Sequence, residues 1–570
     1  MKKLINDPLS VVDEMLEGVV LADHRLTLLE GENTVVRKDF RTLAAANKVS
    51  IISGGGAGHE PAHGGYVGSG MLTAAVAGPV FTSPSVDAVL NAIMTVAGPA
   101  GVLLIVKNYT GDRLNFGLAA EIARTFGVKV EMLVVGDDVA LNDNGGLVGR
   151  RGIAGTVFIH KVAGAAAEAG LSLMEVRAEA QQAAAGLFSM GLGLSACTVP
   201  AAGKPGFKME DNEVEYGLGI HGESGVRRGP IQRADDMVNV LLERIIEQGQ
   251  LKAGDRVALM VNNLGATPAQ ELDIVTRQVL LGCAAHGIKV EAAMVGTFLT
   301  ALEMAGCSIS LMRVDDSILA RLNAPAGTTA WHGMTVPAVE VSRLSCDKAA
   351  EQSATQGAAW PAANAQVFRR VLQSVTQALQ RNEEILTELD SVVGDGDIGI
   401  SLARGARAID DALDTLALDR PAIALQQISA ILRRVLGGTS GPLYAVFVLR
   451  AGVALSASTS LTSISAWAEA LQAGCDGMVK LGGAGAGDRT MLDALLPAAL
   501  ALRSQEEGQS ALHAAAQVVE AALGGAEATR NMMPLRGRSS YIGERALGHV
   551  DPGAFAIGVW TNAIASALEE

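Results

Sequence analysis

Three carboxylates, Asp390, Asp395 and Asp397, fall close together in "LDSVVGDGDIG". Crowded carboxylates repel one another unless a positive charge sits among them. A hard cation such as Mg2+ prefers oxygen ligands and would relieve that repulsion. Gly396 would let the chain curl so that alternate side chains converge. The spacing is not that of an EF-hand loop, and a solvated Asp–Gly turn would show the same short pattern. Enzymatic Mg2+ sites often serve phosphate. Two glycine-rich stretches in the same half, "GGTSG" (437–441) and "GGAGAGD" (482–488), offer backbone N–H groups where helix starts are expected, and anions bind well there. Helix-capping turns read the same way. No GxxxxGK[ST] occurs, which excludes a P-loop.

A second set of candidates lies in the first half. "SGGGAGHEPAH" (53–63) follows an apolar run, and its glycines permit close approach to a small ligand. His59 stands just past them. "VKNYTGDRLNF" (106–116) also follows a strand signal and carries Lys107 and Asp112. In α/β sheets the ligand crevice lies at the carboxyl ends of strands. "GLGIHGESG" (217–225) surrounds His221 with small residues and adds Glu223. Each of these residues, taken alone, also fits an ordinary structural role.

Two kinds of patterning must position these groups. From about 45 to 330, short β-branched runs end in glycine and alternate with helical stretches. Examples are 48–60, 101–112, 129–138, 256–267 and 289–296. The pattern predicts α/β structure with a mainly parallel sheet covered on both faces. The block from about 190 to 235 reads as hairpins and turns between two α/β lobes. "NAPAGTTAWHGMTVPAVE" and "EQSATQGAAWPAANA" then read as a linker. Beyond it strand signals nearly vanish. Phe368, Val371, Leu372, Val375 and Leu379 follow helical spacing, and Ala/Leu-rich segments recur at 421–436, 464–480, 491–504 and 508–523. This half is expected to be all-α, with its Gly-, Asp- and Arg-rich turns forming a site at one end.

Composition narrows the class. The chain has 570 residues, more than one ordinary core holds. Aromatics are 4% against 66 glycines, which favours close backbone packing. The net charge of −15 and the lack of a basic run argue against nucleic acid. The five cysteines are scattered, with no CxxC, so a reducing cytoplasm fits. The N-terminus lacks the apolar core of a signal peptide. The longest apolar stretch, 92–107, is broken by Gly98-Pro99 and is not expected to span a membrane.

Together, "SGGGAGHEPAHGGYVGSGML", "FTSPS", "LLIVKNYTGDRLNF", "GLGIHGESG", "VGDGDIG", "GGTSGPLY" and "GRSSYIGERALGHVDPGA" resemble the dihydroxyacetone kinase family, over nearly the whole chain. The resemblance implies a ketose-binding K domain of two α/β lobes (1–335), a linker (336–362) and an ATP-binding L domain (363–570) built as an antiparallel eight-helix barrel. It implies that His221 adds covalently to the substrate carbonyl, giving a hemiaminal, and that His59 and Asp112 act as acid/base groups. Gly55, Gly56 and Lys107 match further substrate contacts. Asp390, Asp395 and Asp397 match the carboxylates that hold Mg2+ against ATP. Thr439, Ser440, Gly487, Asp551 and Gly553 lie in segments that match nucleotide contacts.

The implied reaction is ATP-dependent phosphorylation of a short ketose, dihydroxyacetone first and erythrulose as the alternative. Glycerol has the hydroxyls but cannot form the adduct. Some family members also cleave FAD. A non-catalytic ketose sensor would be expected to lose one of the three aspartates. The resemblance also implies a homodimer through the K domain. Ile398 departs from the small or polar residue common after Asp397, so altered packing is expected under that loop.

Overall fold

Apolar side chains alternate between the two faces of the first sheet: Ile51 and Leu103 enter one core, their neighbours Ile52 and Leu104 another. This is the period of a strand buried on both faces. The computed structural model describes residues 2–141, 149–338, 340–345, 357–506 and 508–569. It divides into two compact units, Met1–Arg343 and Leu344–Glu570. Much of the expected linker, residues 339 and 346–356, lies outside the described residues.

The first unit holds two six-stranded sheets. One contains β1 (Leu26–Leu28), β2 (Thr34–Arg37), β3 (Ser50–Ala57), β4 (Ala74–Val80), β5 (Val102–Lys107) and β6 (Val130–Val135), in the order β1-β2-β4-β3-β5-β6. Its four strands β4, β3, β5 and β6 are parallel; β1 and β2 form an antiparallel edge. The associated helices are α1 (Val11–Ala22), α2 (Phe40–Ala45), α3 (Val86–Val96), α4 (Thr110–Thr125), α5 (Thr156–Glu168) and α6 (Leu173–Ala185). α3 and α4 cover one face, α5 and α6 the other. α5 is buried along its whole length up to Ala167 and shares a core with Met260 and Met312 of the second sheet.

That second sheet contains β7 (Leu187–Gly193), β8 (Glu213–Tyr216), β9 (Arg227–Pro230), β10 (Arg256–Asn263), β11 (Lys289–Gly296) and β12 (Gly306–Arg313), in the order β11-β10-β12-β7-β8-β9. The associated helices are α7 (Ala234–Gly249), α8 (Ala269–Ala285) and α9 (Asp316–Asn323). Here the expected parallel arrangement is corrected: only β10 and β11 are parallel, and β12, β7, β8 and β9 join antiparallel. The chain between β11 and β12 is too short for the crossover that a parallel neighbour requires. The block read as hairpins and turns between two lobes does hold the antiparallel pair β8 and β9, but it is part of this sheet and not a connection between lobes. β7 lies inside it, and β8 and β9 form its edge, with His221 between them.

The second unit is helical. It contains α10 (Ala362–Arg381), α11 (Glu383–Val393), α12 (Ile398–Ala412), α13 (Pro421–Val435), α14 (Ser440–Ser456), α15 (Ile464–Gly482), α16 (Leu492–Arg503), α17 (Ala511–Ala528) and α18 (Pro552–Glu569). Eight of these nine make a closed ring: α10 packs on α12, each later helix packs on the next, and α18 returns to α10. α11 is the ninth and packs on α12 and α18. Glycines let the helices approach. An added Cβ would lie 2.6 Å from the Phe447 ring at Gly474 and 2.7 Å from Leu523 at Gly558. Ile398 opens α12 with its side chain in the core, and so belongs to the packing under the aspartate turn.

Candidate active site

In the first unit, the ends of β3, β4 and β5 converge with the β8–β9 connection. His59 follows β3 and is fully buried. Its Nδ1 lies 2.7 Å from the Thr300 carbonyl, an acceptor, so Nδ1 carries the proton. Nε2 is then a lone pair, and it is buried with no partner. Burial, reinforced by His221 and Lys107, holds His59 well below its ordinary range and keeps it neutral.

His221 stands edge-on to His59 at 4.9 Å between ring centroids, and to Tyr109 and Phe81 at 4.7 and 5.2 Å. Its Nδ1 lies 2.7 Å from Glu223 Oε1, and its backbone N–H donates to Glu223 Oε2 at 3.0 Å. A carboxylate accepts, so Nδ1 carries the proton and Nε2 carries the lone pair. Burial pushes the Glu223 carboxyl up, but the hydrogen bonds that His221 donates outweigh it and hold it below its ordinary range. The glycines have a local reason. A side chain at Gly219 would enter the Glu223 carboxylate and the Arg151 guanidinium. Arg151 braces the turn by donating to Asp138 at 2.8 Å and to the Gly217 carbonyl at 2.7 Å.

Lys107 closes β5, is 1% exposed, and points Nζ at His63 Nε2, 2.9 Å away. Asp112 is buried in the first turn of α4. The helix starts at Thr110, directly after the strand. Asp112 Oδ1 accepts from the Ser83 hydroxyl at 2.5 Å. Gly55 leaves the space between these groups open: a Cβ there would lie 2.5 Å from Lys107 Nζ and 3.5 Å from Asp112 Oδ2, at a φ of +151°. Gly56 runs against the backbone of Phe81 and Thr82. His59, His221, Lys107, Asp112, Gly55 and Gly56 therefore share one neighbourhood. Sequence reasoning gave no role to Glu223, Ser83, His63 or Tyr109. All four lie in the quoted motifs, but only folding assigns them partners.

The second unit carries its own cleft, about 370 Å3 in volume. Asp390, Asp395 and Asp397 line it, and one oxygen from each lies within 4.8 Å of the others. Asp390 sits near the end of α11, not in the turn. It is buried, and its Oδ2 accepts from the backbone N–H groups of Asp397 and Ile398 at 2.8 and 3.2 Å. Arg538 pairs with Asp395 and approaches Asp397 at 3.8 Å. An oxygen cluster that already attracts a guanidinium has the chemistry of a hard-cation site.

Thr439 and Ser440 open α14 on the cleft wall, and Gly553 lines it at the start of α18. Asp551 accepts from Ala554 N–H at 2.8 Å; burial pushes its carboxyl up to about 6. Gly487 is not among the cleft-lining residues. Its N–H donates to Asp493 at 2.5 Å, because the 482–488 stretch trails α15 and does not start α16. Arg489 beside it is fully buried, at a φ of +60°, and donates to the Ala546 and His549 carbonyls at 3.0 Å. It ties this loop to the turn that carries Asp551.

The Dak1 domain model matches residues 17–330 and the DAK2 domain model residues 392–566. The chain belongs to the dihydroxyacetone kinase family. It is 42% identical to human triokinase/FMN cyclase, with 100% of this chain and 99% of that protein aligned. It is 40% identical to the dihydroxyacetone kinase of Citrobacter freundii, over 99% and 98% of the two chains. The crystal structure of the C. freundii kinase in complex with AMP-PNP and Mg2+ matches with a TM-score of 0.66 at 38% identity, covering 99% of each chain. Among the described residues no helix is long and apolar enough to cross a membrane.

Proposed function

We propose that this kinase-family chain phosphorylates a short ketose from ATP, with dihydroxyacetone as the substrate and its phosphate as the product. The observation that carries this reading is the hydrogen bond from His221 Nδ1 to Glu223, which leaves Nε2 as the nucleophile of a ring 4.9 Å from that of His59.

In this reading Nε2 of His221 adds to the carbonyl carbon. The new N–C bond makes the Nδ1 proton acidic; it passes along the hydrogen bond to Glu223 and on to solvent, the alkoxide oxygen takes one proton back from solvent, and Glu223 ends ionised. The product is a neutral hemiaminal whose hydroxyl donates to the free Nε2 of His59. The tether fixes the far hydroxyl near Asp112. Ser83 occupies Oδ1 of that carboxylate, so Oδ2 takes the proton as the hydroxyl attacks the terminal phosphate. Lys107 supplies positive charge beside it, and the bare backbone of Gly55 and Gly56 leaves room for the substrate. In the second unit Asp390, Asp395 and Asp397 would hold Mg2+, which neutralises charge on the ATP phosphates. Thr439, Ser440, Asp551 and Gly553 would contact the nucleotide. Gly487 would act through loop conformation, since it does not line the cleft.

The same proposal includes a homodimer through the α/β unit and action in the cytoplasm. The described free cysteines Cys197, Cys283, Cys307 and Cys475 are all buried, which suits a reducing compartment. Light scattering of the purified chain tests the dimer.

ADP release with dihydroxyacetone, erythrulose and glycerol tests the function. Turnover with dihydroxyacetone and none with glycerol is expected. Preference for erythrulose would keep the mechanism and change the substrate; no turnover with either ketose would overturn the reading.

A further inference from the structure

His63 has no role in the chemistry above, yet it is buried beside it. Its Nε2 lies 2.9 Å from Lys107 Nζ. An ammonium only donates, so Nε2 must be the acceptor and the ring proton sits on Nδ1. Burial, with Lys107, His160 and His59 nearby, holds His63 well below its ordinary range and keeps that lone pair available.

The groups behind His63 share one consistent proton arrangement. Ser53 donates its only hydroxyl proton to the Ile105 carbonyl at 2.7 Å, so it must accept from His160 Nε2 at 3.1 Å. His160 therefore presents a lone pair at Nδ1, and His63 presents a proton at its Nδ1. These two atoms are the unpartnered ring nitrogens of rings 5.1 Å apart. One is a donor and the other an acceptor.

Asp112 stands on the other side of Lys107. Lys107 Nζ, Asp112 Oδ2 and His63 Nε2 all border the position where a Gly55 side chain would be, at 2.5, 3.5 and 3.8 Å. Three imidazoles, His63, His160 and His59, and two carboxylates, Asp112 and Asp137, lie within electrostatic reach of Lys107. His59 faces the same space. In the ligand-free arrangement the ammonium goes to His63, and Asp112 Oδ1 goes to Ser83.

We propose that His63 is a positioning residue that holds the Lys107 ammonium on a neutral ring nitrogen, which keeps Lys107 from closing onto Asp112. The carboxylate then keeps Oδ2 free for the substrate hydroxyl. This inference rests on the assignment of Asp112 as the base. Without the ring acceptor, the buried ammonium has Asp112 as its nearest alternative. A paired carboxylate is a weaker base.

The test is the pH profile of ketose phosphorylation by the full chain, wild type against His63→Leu and His63→Gln. For His63→Leu, kcat falls about 10- to 100-fold and the acid limb moves to lower pH by about one unit, with the ATP KM unchanged. His63→Gln offers an amide oxygen in place of Nε2, and restores the wild-type limb and most of kcat. A His63→Leu acid limb at the wild-type position, or a His63→Gln profile no better than that of His63→Leu, overturns the proposal. Nitrogen-15 NMR of histidine-labelled wild-type protein gives a second readout that needs no variant. A neutral His63 protonated on Nδ1 supports the proposal, and a proton on Nε2 sinks it. Wild type without ketose turnover defeats the functional reading. Wild-type turnover that is lost in Asp112→Asn, with an unshifted His63→Leu limb, defeats this inference alone.

Discussion

One carboxylate holds both ends of His221: Glu223 Oε1 lies 2.7 Å from its Nδ1, while Oε2 accepts its backbone N–H at 3.0 Å. Two residues on in sequence, Glu223 fixes the ring's tautomer and its orientation together.

Glu223→Gln removes the charge and allows an amide N–H to face Nδ1, which would move the ring proton to Nε2. Ketose KM is expected to rise about 10- to 100-fold, the scale of a charged hydrogen bond, while ATP binding is unchanged. His221→Ala should abolish the covalent ketose adduct in intact-mass spectra. An adduct that survives in His221→Ala would place the nucleophile elsewhere.

Gly55→Ala puts a methyl against Lys107 Nζ at a φ of +151°. Backbone strain of about 1–3 kcal/mol is expected in the unfolding free energy, together with a fall of about 100-fold in kcat/KM, as for a misplaced substrate. Unchanged kinetics would show that the substrate does not approach this backbone.

Asp390 and Asp395 should fail differently. Asp395 is exposed, so Asp395→Asn is expected to keep its melting temperature and lose Mg2+-ATP turnover while the ketose adduct still forms. Asp390 also accepts two backbone N–H groups, so Asp390→Asn is expected to lose turnover and about 1–2 kcal/mol of stability. Calorimetric Mg2+ titration and thermal melts separate the two. Full turnover in Asp395→Asn would end the metal assignment.

Arg538 lies on the same carboxylates that the proposal gives to Mg2+. Arg538→Gln is therefore expected to bind Mg2+ more tightly in the absence of ATP, measured by titration calorimetry. Weaker binding would mean that Arg538 orders the site and does not compete for it.

Acid should weaken the α/β unit. Burial lowers the histidine His160 from 6.5 to about 3, so the unfolded chain binds its proton first as pH falls. Stability from this group is full above about pH 6.5 and declines as pH drops toward 3, by up to about 1.4 kcal/mol per unit. Urea denaturation at pH 7 and pH 5 should show His160→Gln losing less stability on acidification than wild type. Equal losses would remove His160 from the account.

Much of the architecture was legible before folding. Runs at β3, β5, β6, β10 and β11 announce strands, because each is a continuous apolar segment closed by glycine or a polar residue. The helical half is equally plain, because the spacing from Phe368 to Leu379 matches α10 and the later Ala/Leu-rich segments match α13, α15, α16 and α17. The hairpin read within 190–235 is the antiparallel pair β8 and β9, but the antiparallel joining of β12 to β10 and β7 was not legible, since an apolar run looks the same in either direction. The expectation that 482–488 starts a helix fails for a related reason: a glycine stretch does not say whether it ends one helix or starts the next.

By itself, the sequence determined the family, the two kinds of unit, and the chemical types available: a histidine among glycines, carboxylates around a turn, and a lysine at a strand end. These are matters of residue identity and local spacing. The tertiary structure decided which ring nitrogen of His59 carries the proton. It also decided that Lys107 faces His63 and that Arg538 sits on Asp395. Those depend on partners distant in the chain, such as Thr300 for His59, and a hydrogen bond between remote residues leaves no local trace in sequence.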